Sequence, residues 1–245
     1  MKRKAVVLLS GGIDSLVIAE TELIKGTLAG VVFVDMDHPA RVAEEWKVFN
    51  FQSRAAVPFK VIRVTGLDLG DMADASHASV VPSRNLILLS VASNVGKGMG
   101  GNVILIGANE TDAADYLDCR REALAETSRA FESMGGLPIE APLIDQTKVD
   151  VIMKARDLGI TFKDSWSCYR PGPIPCRMCS SSLEAQTAWG TNTNGISVQL
   201  GRYGQWDVIV TANGKTNLLG FASTKSKAEQ LAAGERLKNR PPSDY

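Results

Sequence analysis

No stretch of this sequence is a long uninterrupted apolar run, so none of its hydrophobic segments reads as a membrane-spanning helix. Cysteine is scarce: of four residues in a chain of 245, Cys168, Cys176 and Cys179 cluster within twelve positions, which reads as metal binding before disulfides. Histidine is scarcer, with only His38 and His77, which leaves little for a histidine-built metal centre. Neither sign of charge dominates. Lys and Arg together number 27, as do Asp and Glu, which excludes a chain-wide basic field drawing the protein to nucleic acid. No internal repeat is present, which argues against a solenoid. The basic start Lys2-Arg3-Lys4 is followed by only five apolar residues, Ala5 to Leu9, before Ser10-Gly11-Gly12. That run is too short for a secretory core and reads as a first strand, so the expectation is a cytoplasmic protein.

What is present alternates. Ala5–Leu9, Gly30–Asp35, Phe59–Val64 and Asn102–Ile106 are short apolar runs that read as buried strands. Between and after them, Ser15–Ile24, Arg41–Ala56, Asn85–Val95, Cys119–Met134 and Lys148–Leu158 carry helical spacing. Strand–helix alternation of this kind predicts an α/β protein with a doubly wound parallel sheet. Past Trp189 the texture changes. The polar stretch Gly190–Gly195 reads as a linker. Three short strands follow, Ile196–Leu200, Trp206–Ala212 and Asn217–Phe221, with the hairpin signal Asn213-Gly214 between the last two. Lys225–Lys238 reads as a closing helix, and Arg240–Tyr245 as a frayed end. The expected division is residues 1–190 and a small appendage over 196–239.

Ser10-Gly11-Gly12-Ile13-Asp14-Ser15 lies between the first strand and the first helix. Two glycines let the backbone turn tightly and bring N–H groups close to an anion. A helix start adds free donors and the positive end of its dipole. Ser10 and Ser15 add hydroxyls, and Asp14 is placed to hold Mg²⁺ against phosphates. A tight turn without a ligand is the other reading of Ser-Gly-Gly taken alone. The spacing is neither that of the P-loop nor that of the dinucleotide fingerprint.

The loop resembles Ser-Gly-Gly-x-Asp-Ser of the N-type ATP pyrophosphatases, which cleave ATP between the α and β phosphates. Further segments resemble one family among them, the 7-cyano-7-deazaguanine synthases. They are Val81-Pro82-Ser83-Arg84-Asn85, Gly107-Ala108-Asn109 with Asp112, Asp115 and Tyr116, Asp118-Cys119-Arg120, Ala141-Pro142-Leu143 with Lys148, and Trp166-Ser167-Cys168-Tyr169 leading to Cys176-x-x-Cys179. Together they cover most of residues 4–189.

The resemblance implies an adenine nucleotide α hydrolase-like sheet and an ATP-dependent carbon–nitrogen ligase. It implies conversion of 7-carboxy-7-deazaguanine and ammonia to the nitrile, through an adenylated carboxylate and then an adenylated amide, as a step of queuosine biosynthesis. ATP and Mg²⁺ fall to Ser10, Gly11, Gly12, Asp14, Ser15 and Gly107. Asp14, Arg84 and Lys148 are the expected catalytic residues. Arg84, Asn85, Asn109, Asp115, Asp118 and Arg120 are the expected contacts to the deazaguanine. On the residues alone, Arg84 suits a fork on a carboxylate or phosphate, with Ser83 as a helix cap the competing reading. Cys119 reads as a nucleophile or as a small buried hydrophobe, and no histidine nearby in sequence favours the former.

The chain departs from the family pattern twice. Cys168-x7-Cys176-x2-Cys179 has zinc-like spacing, but the family's fourth cysteine is here Ser182. Zinc on Cys168, Cys176 and Cys179, completed by another ligand, and a metal-free knuckle are both open. After the second strand, where the family shows Tyr-Gly-Gln-Arg-His, this chain has Met36-Asp37-His38-Pro39-Ala40-Arg41, which implies different substrate or amine handling.

The strands and helix over 196–239 loosely resemble AP2-like and integrase arm-binding domains. That implies DNA contact by Arg202, Tyr203, Trp206 and Lys215, and residues from 195 onward do carry a net charge of +3. A packing or homodimer appendage is the other reading. Competing functions are a variant that stops at the amide, a tRNA thiolase-like enzyme with Cys119 as its sulfur carrier, and a weakened nucleotide- or DNA-binding protein.

Overall fold

The structure is a computed structural model. It describes residues 2–69, 81–170, 182, 185, 188, 189, 196–200, 206–212, 215–222 and 225. Its frame is a parallel sheet of β1 (Ala5–Leu8), β2 (Leu28–Asp35), β3 (Phe59–Arg63), β4 (Val103–Leu105) and β5 (Ile139–Glu140), in the order β3-β2-β1-β4-β5. All four residues of β1 are buried, as a central parallel strand requires with both faces covered.

One face packs against α1 (Ile13–Ile24), α2 (Arg41–Ala55) and α6 (Lys148–Asp157), with Val7 and Phe33 of the sheet meeting Leu16, Val48 and Ile152. The other packs against α3 (Arg84–Gly98) and α5 (Arg121–Ser133), with Val6 and Ile104 meeting Leu89, Leu124 and Phe131. The doubly wound expectation is met. The chain leaves β1 towards β2 and later returns to β4 on its other side. The carboxyl ends of β1 and β4 therefore flank a switch point, the place where an open α/β sheet leaves a crevice.

Element boundaries differ from the sequence reading for local reasons. α1 begins at Ile13 rather than Ser15, because Gly12 already holds the extended cap conformation (φ −75°, ψ 158°). α3 runs past Val95 through Gly96, where a side chain would meet Ile104 at 2.8 Å and Val6 at 3.3 Å; the glycine lets this helix lie close on the sheet. Ser83 does not cap α3 with its side chain. It sits at φ +57°, and the Asp118 carboxylate accepts from the Asn85 N–H at 3.0 Å in its place. Leu117–Cys119 is a 3-10 turn, so α5 begins only at Arg121. Among the strands and α-helices of the described residues, two have no counterpart in the sequence reading: β5, two residues long, and α4 (Glu110–Asp115). The signal for α4 was local, since Asn109 is a favoured cap residue and accepts from the N–H of Thr111 and Asp112.

The three late strands form an antiparallel sheet, β6 (Ile196–Leu200), β7 (Trp206–Ala212) and β8 (Lys215–Ala222), in chain order. Ala212 pairs with Lys215, leaving two residues for the hairpin. Lys225 reaches Glu110 at the start of α4, at 3.4 Å. The Asn213-Gly214 turn, the linker, Arg202, Tyr203, the helix expected beyond Lys225 and the chain end lie outside the described residues.

Candidate functional site

A cleft of about 240 Å³ opens at the switch point, between the loops that follow β1 and β4. Gly11 (φ +81°) makes the first loop possible. A Cβ there would lie 2.7 Å from the Glu44 carbonyl oxygen, so α2 packs directly onto the loop. Gly107 makes the second approach possible: a Cβ there would stand 2.9 Å from the Ser15 nitrogen and 3.1 Å from the Asp14 Cβ. Close contact of these two loops is bought by two missing side chains. The Ser10 N–H donates to the Ser15 Oγ at 3.2 Å, and that hydroxyl donates to the Gly12 carbonyl at 3.0 Å, which closes the loop on itself. No side chain caps α1, so its first-turn N–H groups are left for a ligand at the positive end of the helix.

Charge at the cleft is organised around Asp14. Its carboxylate accepts from the Lys148 Nζ at 2.7 and 3.0 Å and from the Asn109 Nδ2 at 2.8 Å. The same Asn109 amide donates to Asp112 at 2.7 Å, so one buried side chain bridges two carboxylates. Burial, followed by the Asp14 charge, pushes the Asp112 carboxyl up to about 6, against the opposing pull of Lys148. Lys148, only 7% exposed, is the cation that makes this pair tolerable.

The sign of the Asp112 shift gives a stability prediction. Below about pH 3 the group is neutral in both the folded and the unfolded chain and costs nothing. As pH rises from the unfolded value near 4 to the folded value of about 6, the unfolded chain ionises first, and above pH 6 the folded protein holds the charge at a cost of about 3 kcal/mol. Asp112→Asn is therefore expected to raise the melting temperature by about 8 °C at pH 8 and to leave it unchanged near pH 3. Equal shifts at both pH values, read by calorimetry, would refute the charge account.

The opposite wall is aromatic and cationic. Arg84 lies over the Tyr116 ring at 5.7 Å, and the Tyr116 hydroxyl meets that of Tyr169 at 3.3 Å. Burial, with the neighbouring Tyr169, pushes the Tyr116 phenol upward. The Trp166 backbone N–H donates to the Gly11 carbonyl at 2.8 Å, tying the start of the cysteine segment to the loop after β1. Asn85 lines the cleft, and its amide donates to Cys119 Sγ at 3.2 Å. Burial, then the charges of Asp112 and Asp118, pushes the Cys119 thiol up to about 12, so at neutral pH it is an unreactive packing group.

Of the sequence-derived candidates, Ser10, Gly12, Asp14, Ser15, Arg84, Asn85, Gly107 and Lys148 line the cleft, and Gly11 supports it from behind. Others stand elsewhere. Asn109 is fully buried and committed to its two carboxylates and to the α4 cap. Asp118 caps α3. Arg120 is exposed and donates to the Ala113 carbonyl. Asp115 ends α4. Cys168 is buried in a small cluster with Ala40 and Trp166, while Cys176 and Cys179 lie outside the described residues. Ser182, at the position of the family's fourth cysteine, is buried. Among the described residues no group of three or more His, Cys, Asp or Glu is placed to hold a metal ion.

His38, just past β2, and Glu44, in the first turn of α2, also line the cleft, though neither was among the candidate site residues. His38 departs from the family pattern, which was the available signal; Glu44 gave none.

A family model described as queuosine biosynthesis protein QueC matches residues 4–193, ending just before β6. The 7-cyano-7-deazaguanine synthase of Microcystis aeruginosa is 30% identical over 203 residues, spanning 74% of this chain and 88% of that protein. The synthase of Thermoplasma acidophilum is 30% identical over 204 residues, spanning 74% and 85%. That of Rhizorhabdus wittichii is 32% identical over 201 residues, spanning 73% and 87%. With a matched stretch that contains both loops of the cleft and every residue of the Asp14–Lys148 cluster, the chain belongs to the queuosine biosynthesis protein QueC family.

Proposed function

We propose that this chain makes 7-cyano-7-deazaguanine from 7-carboxy-7-deazaguanine, ammonia and ATP, and that residues 1–190 carry the reaction. The observation that carries this reading is the uncapped start of α1 behind Gly11 and Gly12, with Lys148 and Asp14 beside it at the switch point.

The first-turn amides of α1, with Ser10 and Ser15, hold the phosphates of ATP. Asp14 and Asp112, two carboxylates joined through one amide, suit a hard cation that also takes phosphate oxygens, and Mg²⁺ there would neutralise charge on the leaving pyrophosphate. Arg84, held against Tyr116, orients the substrate carboxylate for attack on the α-phosphorus. Lys148 stabilises the charge that develops on the phosphoryl oxygens. Ammonia displaces AMP from the acyl-adenylate to give an amide. Adenylation of the amide oxygen and loss of a second AMP leave the nitrile.

The thiolase-like reading is disfavoured by the unreactive state of Cys119. The expected result of incubating purified protein with the deazaguanine acid, ATP and ammonium is nitrile and AMP, read by mass spectrometry. Accumulation of amide alone would identify a shortened reaction, and absence of AMP would reject the proposal. Zinc content measured on the same sample tests the Cys168, Cys176 and Cys179 set. DNA retention tests whether the appendage over 196–239 serves a nucleic acid.

A further inference from the structure

Where the chain leaves β2, its sequence departs from the family pattern, and the structure gives that departure a specific form. Asp35 ends β2 buried, receives Arg41 at 3.4 Å and Arg63 at 3.3 Å, and accepts the Asp37 N–H at 2.8 Å. Asp37 itself sits at φ +62°, a left-handed conformation that turns the chain sharply. The next residue, His38, is thereby placed on the wall of the cleft. It is 5% exposed, and its Nε2 meets the Glu44 Oε2 at 2.8 Å. Its other ring nitrogen, Nδ1, is buried and has no partner among the described residues. Glu44 lies on the first turn of α2, whose backbone also rests against Gly11, so the pair stands beside the phosphate loop.

A buried ring nitrogen without a partner is costly and calls for an explanation. An imidazole fixed by a carboxylate through one nitrogen presents the other for proton transfer, which is how an acid–base histidine is oriented. The adenylation half of the proposed reaction moves no proton. The amidation half must: nitrogen bonds to the acyl carbon, the carbon–oxygen bond to AMP breaks with its electron pair leaving on the phosphate, and one N–H proton has to go.

We propose that His38 Nδ1 takes that proton, with Glu44 holding the ring and stabilising the imidazolium. The inference rests on the ligase reading above. It explains why this chain places a His–Glu pair here and why the buried Nδ1 has no partner among the described residues. The charges bearing on His38 are Glu44 on α2 and Asp35 on β2, which favour its cation, and Arg84 at the start of α3, which opposes it. Burial works against the cation, but the Glu44 bond and the two carboxylate charges outweigh it, and the ring is a stronger base than a free histidine.

The two half-reactions separate the test from the ligase reading. With ATP and the deazaguanine acid but no ammonium, pyrophosphate exchange into ATP reports adenylation alone. His38→Gln is expected to keep exchange within about threefold of wild type and to lower amide formation near pH 7 by about 10²-fold. The deficit shrinks towards pH 9, where dissolved ammonia is abundant enough to take the proton in place of the histidine. Glu44→Gln is expected to move the rise of amide formation with pH to lower pH, because removing the carboxylate lowers the basicity of His38. Parallel loss of exchange and amide formation in His38→Gln would overturn the proposal in favour of a packing role, and so would an unchanged pH profile in Glu44→Gln. Wild-type protein without exchange would instead reject the ligase reading.

Discussion

Lys148→Met is expected to lower ATP–pyrophosphate exchange by about 10³-fold and to destabilise the protein by about 2 kcal/mol at pH 8. The two effects have one origin. Lys148 makes two short contacts with the Asp14 carboxylate while itself nearly buried, and Asp112 stands one amide away. Without the ammonium group, two carboxylates face each other across Asn109, and no cation is left to meet the charge that grows on the transferred phosphoryl oxygens. The stability loss is expected to fade as pH falls, since Asp112, already raised to about 6, then takes a proton and relieves the repulsion. Adding Asp112→Asn to Lys148→Met is expected to restore much of the stability and none of the exchange. Denaturant midpoints at pH 8 and pH 5, beside exchange rates, check this. A loss equal at both pH values would show that Lys148 matters only for packing.

Gly11→Ala is expected to abolish measurable exchange and to lower the melting temperature by several degrees. Here the cause is space and backbone geometry. Gly11 holds φ +81°, where an L side chain is strained by about 1–2 kcal/mol. The added methyl would also stand 2.7 Å from the Glu44 carbonyl oxygen and 3.0 Å from its Cα, so the start of α2 would have to shift. Gly12→Ala is the control. Its Cβ would meet nothing nearer than the Ser10 Oγ at 3.4 Å, and Gly12 lies at ordinary dihedrals. The alanine at position 12 is therefore expected to be folded with near-native stability. If Gly11→Ala melts like wild type, the close approach of α2 is not what demands glycine there.

The sequence by itself determined strands β1 to β4 and β6 to β8, most of the helices and the place of the glycine loop. Each of these is written in a contiguous stretch: short apolar runs for β1 to β4, helical spacing for α1 to α3, and Ser-Gly-Gly-x-Asp-Ser between the first two elements. The order of the motifs also pointed to the family, because no folding is needed to read a linear order. Only the tertiary structure decided what the polar residues of those motifs do. The family resemblance implied substrate contacts at Asn109, Asp118 and Arg120, and a linear motif says nothing of their partners within the fold. In the fold, Asn109 bridges Asp14 to Asp112, Asp118 caps α3 from 33 residues away, and Arg120 binds the backbone of α4. Lys148 reaches Asp14 across 134 residues, and His38 finds Glu44 through a left-handed turn at Asp37. Local periodicity records which face of an element is buried. It holds no record of which element the sheet order sets opposite, and a polar side chain takes its role from whatever stands there.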